Sequence, residues 1–225
     1  MAAMQHEHDE EPVSGLAHLR REYDHGALDE SEVASDPFTQ FAHWFEEALA
    51  AEGVEANAMA LATASPEGLP SARMVLLKGF DQRGFAFYSN YESEKGRNLL
   101  ENPQAALLFY WGKLSRQVRI AGPVSRMTPE ESAAYFHSRP LGSQIGAAAS
   151  NQSRVIPNRE ELEARVRELE MRYAEGEVPL PPYWGGFHVA PESFEFWQGR
   201  LNRLHDRLRY RPAADGAWII ERLAP

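Results

Sequence analysis

Hydrophobic positions change their period several times along the chain, and each change marks an element. Asp36-Pro37 opens a helix, Asp36 as N-cap and Pro37 in the first turn, with Phe38, Phe41, Phe45 and Leu49 on one core-facing side before Gly53 ends it. From Ala58 the period drops to two, predicting strands at 58–64, 71–80, 85–89, 104–111 and 116–125. Ser65-Pro66-Glu67-Gly68 and Asp81-Gln82-Arg83-Gly84 carry the residues of hairpin turns. A short helix is predicted at 93–100. Thr128-Pro129-Glu130-Glu131 is a capping box that starts another, which ends near Arg139-Pro140. The stretch 141–153 is small and polar and reads as a loop of the kind that approaches ligands. Asn158, with Glu161 three residues on, caps a long helix whose seam is Leu162, Val166, Leu169 and Tyr173. A proline-rich connector at 177–186 leads to strands at 186–198, about 206–211, and 218–223. The order predicts a mainly β, antiparallel α+β domain with peripheral helices.

Charge then divides the chain. Residues 1–36 hold ten acids against Arg20 and Arg21, a net of −8 out of the formal −10, and leave the body nearly balanced. Residues 1–18 have the composition of an acidic disordered tail, and 19–225 read as one domain. Within 19–35, the arm, Leu19-Arg20-Arg21-Glu22-Tyr23 is either an amphipathic turn clasping the body or a flap over a bound anion. A balanced body argues against general nucleic-acid binding, which needs a broad basic surface. The chain has no cysteine, which excludes disulfides, thiolate metal sites and cysteine nucleophiles. It shows no bilayer-length apolar run and no signal-peptide pattern, so a cytoplasmic protein is expected, with no membrane partner. P-loop, GxSxG elbow and clustered metal ligands are all missing, so no metal is expected and any reaction falls to a bound cofactor.

Against this background the stretch 194–211 stands out: it packs five arginines, His205 and Trp197 into an acidic protein. Guanidinium forks match phosphate and carboxylate oxygens, so the stretch is either an anion-handling site or an edge strand with solvated arginines. If 203–207 is extended, Arg203, His205 and Arg207 share one side, with Leu204 and Leu208 on the other; Asp206 shares the latter parity and needs a partner or solvent. Flanking arginines disfavour a charged His205. Arg73, Val75 and Leu77 take one parity of their strand and Met74, Leu76 and Lys78 the other. The two cations either snorkel to solvent or stand at the rim of a cavity. The helix start at Ser93 and Lys95 suits a phosphate.

Together these segments resemble the pyridoxine/pyridoxamine 5′-phosphate oxidase family. The matching stretches include LRREY at 19–23, RMVLLK at 73–78, FYSN at 87–90, RQVRI at 116–120, YFHSRP at 135–140 and SQIG at 143–146. They continue with QS at 152–153, PLPPYWGGF at 179–187, EFWQG at 195–199, RLHDR at 203–207 and the closing ERLAP. The resemblance implies an FMN-binding split β-barrel working as a homodimer with flavin sites at the subunit interface. It implies oxidation of pyridoxine or pyridoxamine 5′-phosphate to pyridoxal 5′-phosphate, by hydride transfer from C4′ to flavin N5 and reoxidation by O2 to H2O2. By motif, Arg73, Met74, Val75, Leu76, Leu77, Lys78, Tyr88, Ser89 and Lys95 line the FMN site from one subunit, and Gln117, Gln152, Ser153, Trp197 and Arg207 complete it. The substrate phosphate falls to Lys78, Tyr135, Arg139 and Ser143. Arg203, Leu204 and His205 face the pyridine ring, Arg203 and His205 as catalytic residues, and Arg20, Arg21, Glu22 and Tyr23 form the flap. One position departs: where relatives usually carry a basic residue before the lysine, this chain has Glu94, which is expected to turn outward while Arg97, one helical turn on, partly replaces the missing cation. Two other readings remain open, a flavin reductase or haem-degrading split barrel, and a non-catalytic carrier of pyridoxal 5′-phosphate.

Overall fold

A computed structural model describes residues 26–225. Ten strands form one antiparallel sheet in which β1 (Ala58–Ala64), β2 (Pro70–Leu76), β5 (Gln104–Trp111), β6 (Arg116–Arg126), β8 (Ser193–Gln198), β9 (Asp206–Pro212) and β10 (Trp218–Arg222) run in the order β10-β9-β8-β6-β5-β1-β2. The remainder, β3 (Gly79–Asp81), β4 (Gly84–Asn90) and β7 (Trp184–Val189), branches off through β6. β6 is the hinge of the barrel. Its first half pairs with β8 and its last residues, Val124 to Arg126, pair with β7. Gly122 sits at the changeover, where a Cβ would come within 1.9 Å of the Ala190 carbonyl oxygen, so only glycine lets the strand pass this close.

The curled sheet encloses an aromatic core. α1 (Pro37–Glu52) begins as expected, with Asp36 accepting from the Thr39 amide at 3.0 Å. Phe41 is fully buried and meets Phe80, Phe85 and Phe109 edge-on at ring separations of 4.9 to 5.1 Å. Its face departs from the expected stripe, because Trp44 and Ala48 are buried while Leu49 is 43% exposed. Of the other helices, α2 is Glu94–Glu101, α3 is Pro129–Ser138 with the expected capping box, and α5 is Arg159–Arg172 with a half-buried seam.

Three expectations are corrected. The strand expected at 71–80 breaks at Leu77-Lys78: Leu77 drops into the core, and the Lys78 amide turns to the Ala86 carbonyl at 2.9 Å. The strand expected at 186–198 is two strands, parted at Ala190-Pro191-Glu192, where the chain changes partner from β4 to β9. The loop expected over 141–153 is a helix, α4 (Leu141–Ala149), up to its last four residues. Its Ile145 packs in a second cluster with Phe136, Val178 and Trp184.

Candidate active site

A cleft of about 780 Å³ opens between the edge strand β2, the end of β4, the start of α2, and α3 with α4. The alternation of β2 builds one wall. Met74 and Leu76 are exposed, while Arg73 and Val75 are half-buried. Arg73 is tied down by its own neighbourhood: Nη1 donates to Thr63 Oγ1 at 2.8 Å and the Leu61 carbonyl at 3.2 Å, and Nη2 to Ser71 Oγ at 2.6 Å. Burial lowers its pKa, with Glu94 pulling the other way.

Lys95 comes from the first turn of α2. Ser93 caps that helix by accepting from the Gly96 amide at 3.2 Å, and at Gly96 a Cβ would lie 2.3 Å from the Tyr91 carbonyl oxygen, so the glycine seats the helix against β4. Lys95 is 9% exposed and its Nζ donates to Gln152 Oε1 at 2.8 Å. Burial and then Arg73 push its pKa down, so two cations are held close together where water is scarce. Ser89 donates to the same Gln152 oxygen at 3.3 Å.

Aromatic rings form the far wall. Tyr88 stacks on Tyr135 at 3.9 Å and on Trp184 at 5.5 Å, and burial raises the Tyr88 hydroxyl pKa. The Arg139 guanidinium lies 4.8 Å from the Trp184 ring centre, its pKa lowered by burial, and its Nη1 is buried without a hydrogen-bond partner among the described residues. Ser143, whose amide donates to the Pro140 carbonyl at 2.8 Å, stands beside Arg139, and Lys78 also lines the cleft. The cleft therefore offers cationic and hydroxyl donors together with an aromatic surface.

Of the residues expected at the site, one chain gathers Arg73, Met74, Val75, Leu76, Lys78, Tyr88, Ser89, Lys95, Tyr135, Arg139, Ser143 and Gln152 around this cleft. Gln152, expected among the completing set, joins Lys95 and Ser89 of its own chain. Leu77 is a core residue, 5% exposed. Ser153 sits beside the rim, its Oγ accepting from the Glu94 amide at 3.2 Å. Trp184, Asn90 and Ser150 also line the cleft and were missed; the tryptophan stands in the quoted PLPPYWGGF run, which was taken as a connector.

The C-terminal set lies elsewhere on the chain. Strand register places Gln117 beside Trp197 and Trp197 beside Arg207, a single cross-strand row on the outer sheet face. Arg207 makes a two-point ion pair with the buried Glu195, Nε to Oε1 and Nη2 to Oε2 both at 3.1 Å. Arg203 to Arg207 is not extended. Leu201–Arg203 is a 3-10 turn with positive φ at Asn202 and Arg203, so Arg203 does not share a strand face with Arg207, and Leu204 is 68% exposed rather than packed inward. His205 does have its charged form disfavoured, by burial first and Arg203 second. Its ring lies 4.6 Å from Trp197, and Nδ1 accepts from the Arg200 amide at 3.1 Å, which leaves the proton of the neutral ring on Nε2. Asp206 finds its partners, accepting from the Leu28 amide at 3.1 Å and from Arg222 at 2.9 Å. Arg20 to Tyr23 lie outside the described residues. Among the described residues no helix is long and apolar enough to cross a membrane, and no group of three or more potential metal ligands occurs.

The chain matches two family models, "Pyridoxamine 5'-phosphate oxidase" over residues 45–173 and "Pyridoxine 5'-phosphate oxidase C-terminal dimerisation region" over 184–225. The pyridoxine/pyridoxamine 5′-phosphate oxidase of Bordetella petrii is 59% identical over 210 residues, 93% of this chain and 99% of that protein. That of Trichormus variabilis is 55% identical, covering 93% and 98%. Among solved structures, PhzG from Burkholderia lata, in complex with tetrahydrophenazine-1-carboxylic acid, superposes with TM-score 0.83 at 32% identity over 89% of this chain and 99% of its own. A pyridoxamine 5′-phosphate oxidase-related, FMN binding protein from Nostoc punctiforme shares the fold, with TM-score 0.67 at 17% identity over 82% and 97%. The fold is the expected split β-barrel with peripheral helices. Similarity extends through both the cleft-bearing part and the C-terminal strands, and the chain belongs to the pyridoxine/pyridoxamine 5′-phosphate oxidase family.

Proposed function

We propose that this chain is an FMN-dependent oxidase that converts pyridoxine or pyridoxamine 5′-phosphate to pyridoxal 5′-phosphate. The observation that carries the reading is one cleft that gathers four cations, Arg73, Lys78, Lys95 and Arg139, around the stacked rings of Tyr88, Tyr135 and Trp184. Such an arrangement suits two phosphate esters whose flat rings must meet between them. The residues present fit FMN: Lys95 is desolvated and paired only with neutral oxygens, and Ser89 and Gln152 add polar contacts. Held there by Arg73, Lys95, Ser89 and Gln152, FMN would supply a two-electron acceptor for the hydride that leaves the substrate C4′, with O2 as the final oxidant and H2O2 as its product.

The chain's own work is positioning. The unpartnered Nη1 of Arg139, with the Tyr135 and Ser143 hydroxyls, holds the substrate phosphate, and fixing both esters brings the reacting atoms to about 3 to 3.5 Å, a contribution of several kcal/mol from orientation. The row Gln117-Trp197-Arg207, with Arg203 and His205, completes the site from a second copy in a homodimer, consistent with the match to a dimerisation region. There His205 presents an Nε2 proton and acts as a donor to the pyridine ring. Sequence identity is higher to pyridoxine/pyridoxamine 5′-phosphate oxidases than to PhzG, which favours a vitamin B6 phosphate ester as the substrate.

The test is an absorption spectrum of the purified protein followed by addition of pyridoxamine 5′-phosphate. Flavin bands and peroxide equal to the aldehyde formed are expected. Flavin without peroxide favours a reductase, and aldehyde binding without flavin a carrier.

A further inference from the structure

Among the described residues, one carboxylate stands within ion-pair distance of either Arg73 or Lys95: Glu94 Oε1, 3.9 Å from Arg73 Nη2. Its backbone is pinned, since the Glu94 amide donates to Ser153 Oγ and Ser93 caps the helix it begins. Its side chain is not, being 60% exposed against 19% for Arg73. Arg97, expected to stand in as a cation here, is occupied elsewhere, donating to the Glu92 carbonyl, and does not line the cleft.

We propose that Glu94 is a built-in counter-ion that competes with the phosphate of the cofactor for Arg73, and so sets how tightly the chain holds FMN. This rests on the reading that Arg73 and Lys95 take that phosphate. Without an anion, Glu94 offsets the repulsion between Arg73 and Lys95, and its charge acts on both. Once a phosphate arrives, the same carboxylate is a like charge beside it. Arg73 is held by hydrogen bonds to Leu61, Thr63 and Ser71 and cannot follow, so Glu94 rotates away into water while its pinned backbone keeps it within a few ångströms. The two effects have opposite signs: Glu94 steadies the empty cleft and opposes the filled one.

Flavin fluorescence quenching on the full chain stripped of cofactor tests this. Glu94→Gln is expected to bind FMN about three- to tenfold more tightly than wild type at low salt, with the gain shrinking towards none near 1 M salt. Riboflavin, which lacks the phosphate, is expected to show no gain. Glu101→Gln, an equal charge change at the other end of α2, is expected to leave FMN affinity unchanged. Equal or weaker FMN binding by Glu94→Gln overturns the proposal, as does an equal gain for riboflavin. If wild type takes up no FMN, the oxidase reading fails on its own, and inorganic phosphate decides about Glu94. Phosphate is then expected to raise the melting temperature of Glu94→Gln more than that of wild type, and equal shifts overturn the proposal.

Discussion

Two regions of this molecule are rich in cations, and they treat them in opposite ways. On the C-terminal strands the arginines are matched with carboxylates: Arg207 and Arg119 share Glu195, Arg209 and Arg211 share Glu221, and Arg200 and Arg222 share Asp206. In the cleft Arg73, Lys95 and Arg139 are desolvated, with lowered pKa values, and meet neutral oxygens, aromatic faces or, in one case, Glu94 across 3.9 Å. A run of arginines in the sequence is therefore a weak sign of an anion site. A buried cation that the fold declines to neutralise is a strong one, because its cost is recovered when an anion arrives.

The largest effect should come from the unneutralised set. Lys95→Ala is expected to weaken FMN binding by about 100-fold, the range for losing a desolvated charge-assisted contact, while thermal stability without flavin stays the same or rises. Fluorescence titration and melting curves check both halves, and a marked loss of stability without flavin would erase the contrast. The neutralised set should behave in reverse. Glu195 is 9% exposed and holds two guanidinium groups, so Glu195→Ala is expected to destabilise the chain by about 2 kcal/mol, discounted for the exposure of Arg119, or about 4 to 8 °C in melting temperature.

The smallest effect concerns a neutral base. His188 on β7 faces Arg83, Glu131 and Asp81; burial and then Arg83 lower its pKa from 6.5, against the two carboxylates. The unfolded chain protonates it near pH 6.5 while the folded chain resists, so its contribution is complete above that pH and is lost as pH falls towards the lower folded value. His188→Gln is expected to flatten the decline of melting temperature just below pH 6.5, read by a pH series.

Much of this was legible in the chain. Asp36, Thr128 with Glu131, and Asn158 announced three helices through caps that satisfy local amides, and local chemistry is what a sequence displays directly. The parity of Arg73 and Val75 against Met74 and Leu76 is that of β2, since alternation survives wherever a strand is continuous, whereas Leu77 and Lys78 lie past its end. What failed depended on distant packing. α4 has two glycines and only two large apolar residues, Leu141 and Ile145, and it is held in place by Ile145 in the Phe136 cluster and by Gln144 donating to the Arg139 carbonyl at 2.8 Å. The turn at 201–203 broke the expected row because Arg203, a residue with no preference for positive φ, adopts it at 61°. Arg73, Lys78 and Lys95 are legible as candidate anion ligands from strand parity and a helix start, but that they share one cleft with Arg139 and Gln152 is readable only through resemblance, as no spacing rule brings these residues together.

The Arg222 contacts set an order of assembly. Its guanidinium donates to the Leu28 carbonyl at 3.0 Å and pairs with Glu30, while Asp206 accepts the Leu28 amide, joining positions separated by 178 to 194 residues. Closing so long a loop is entropically costly and slow, so it comes after local hairpins form. Until β9 and β10 have zipped, the segment leading into α1 lacks its contacts to Asp206, Tyr210 and Arg222. Its amides should be among the last to gain protection from hydrogen exchange during refolding.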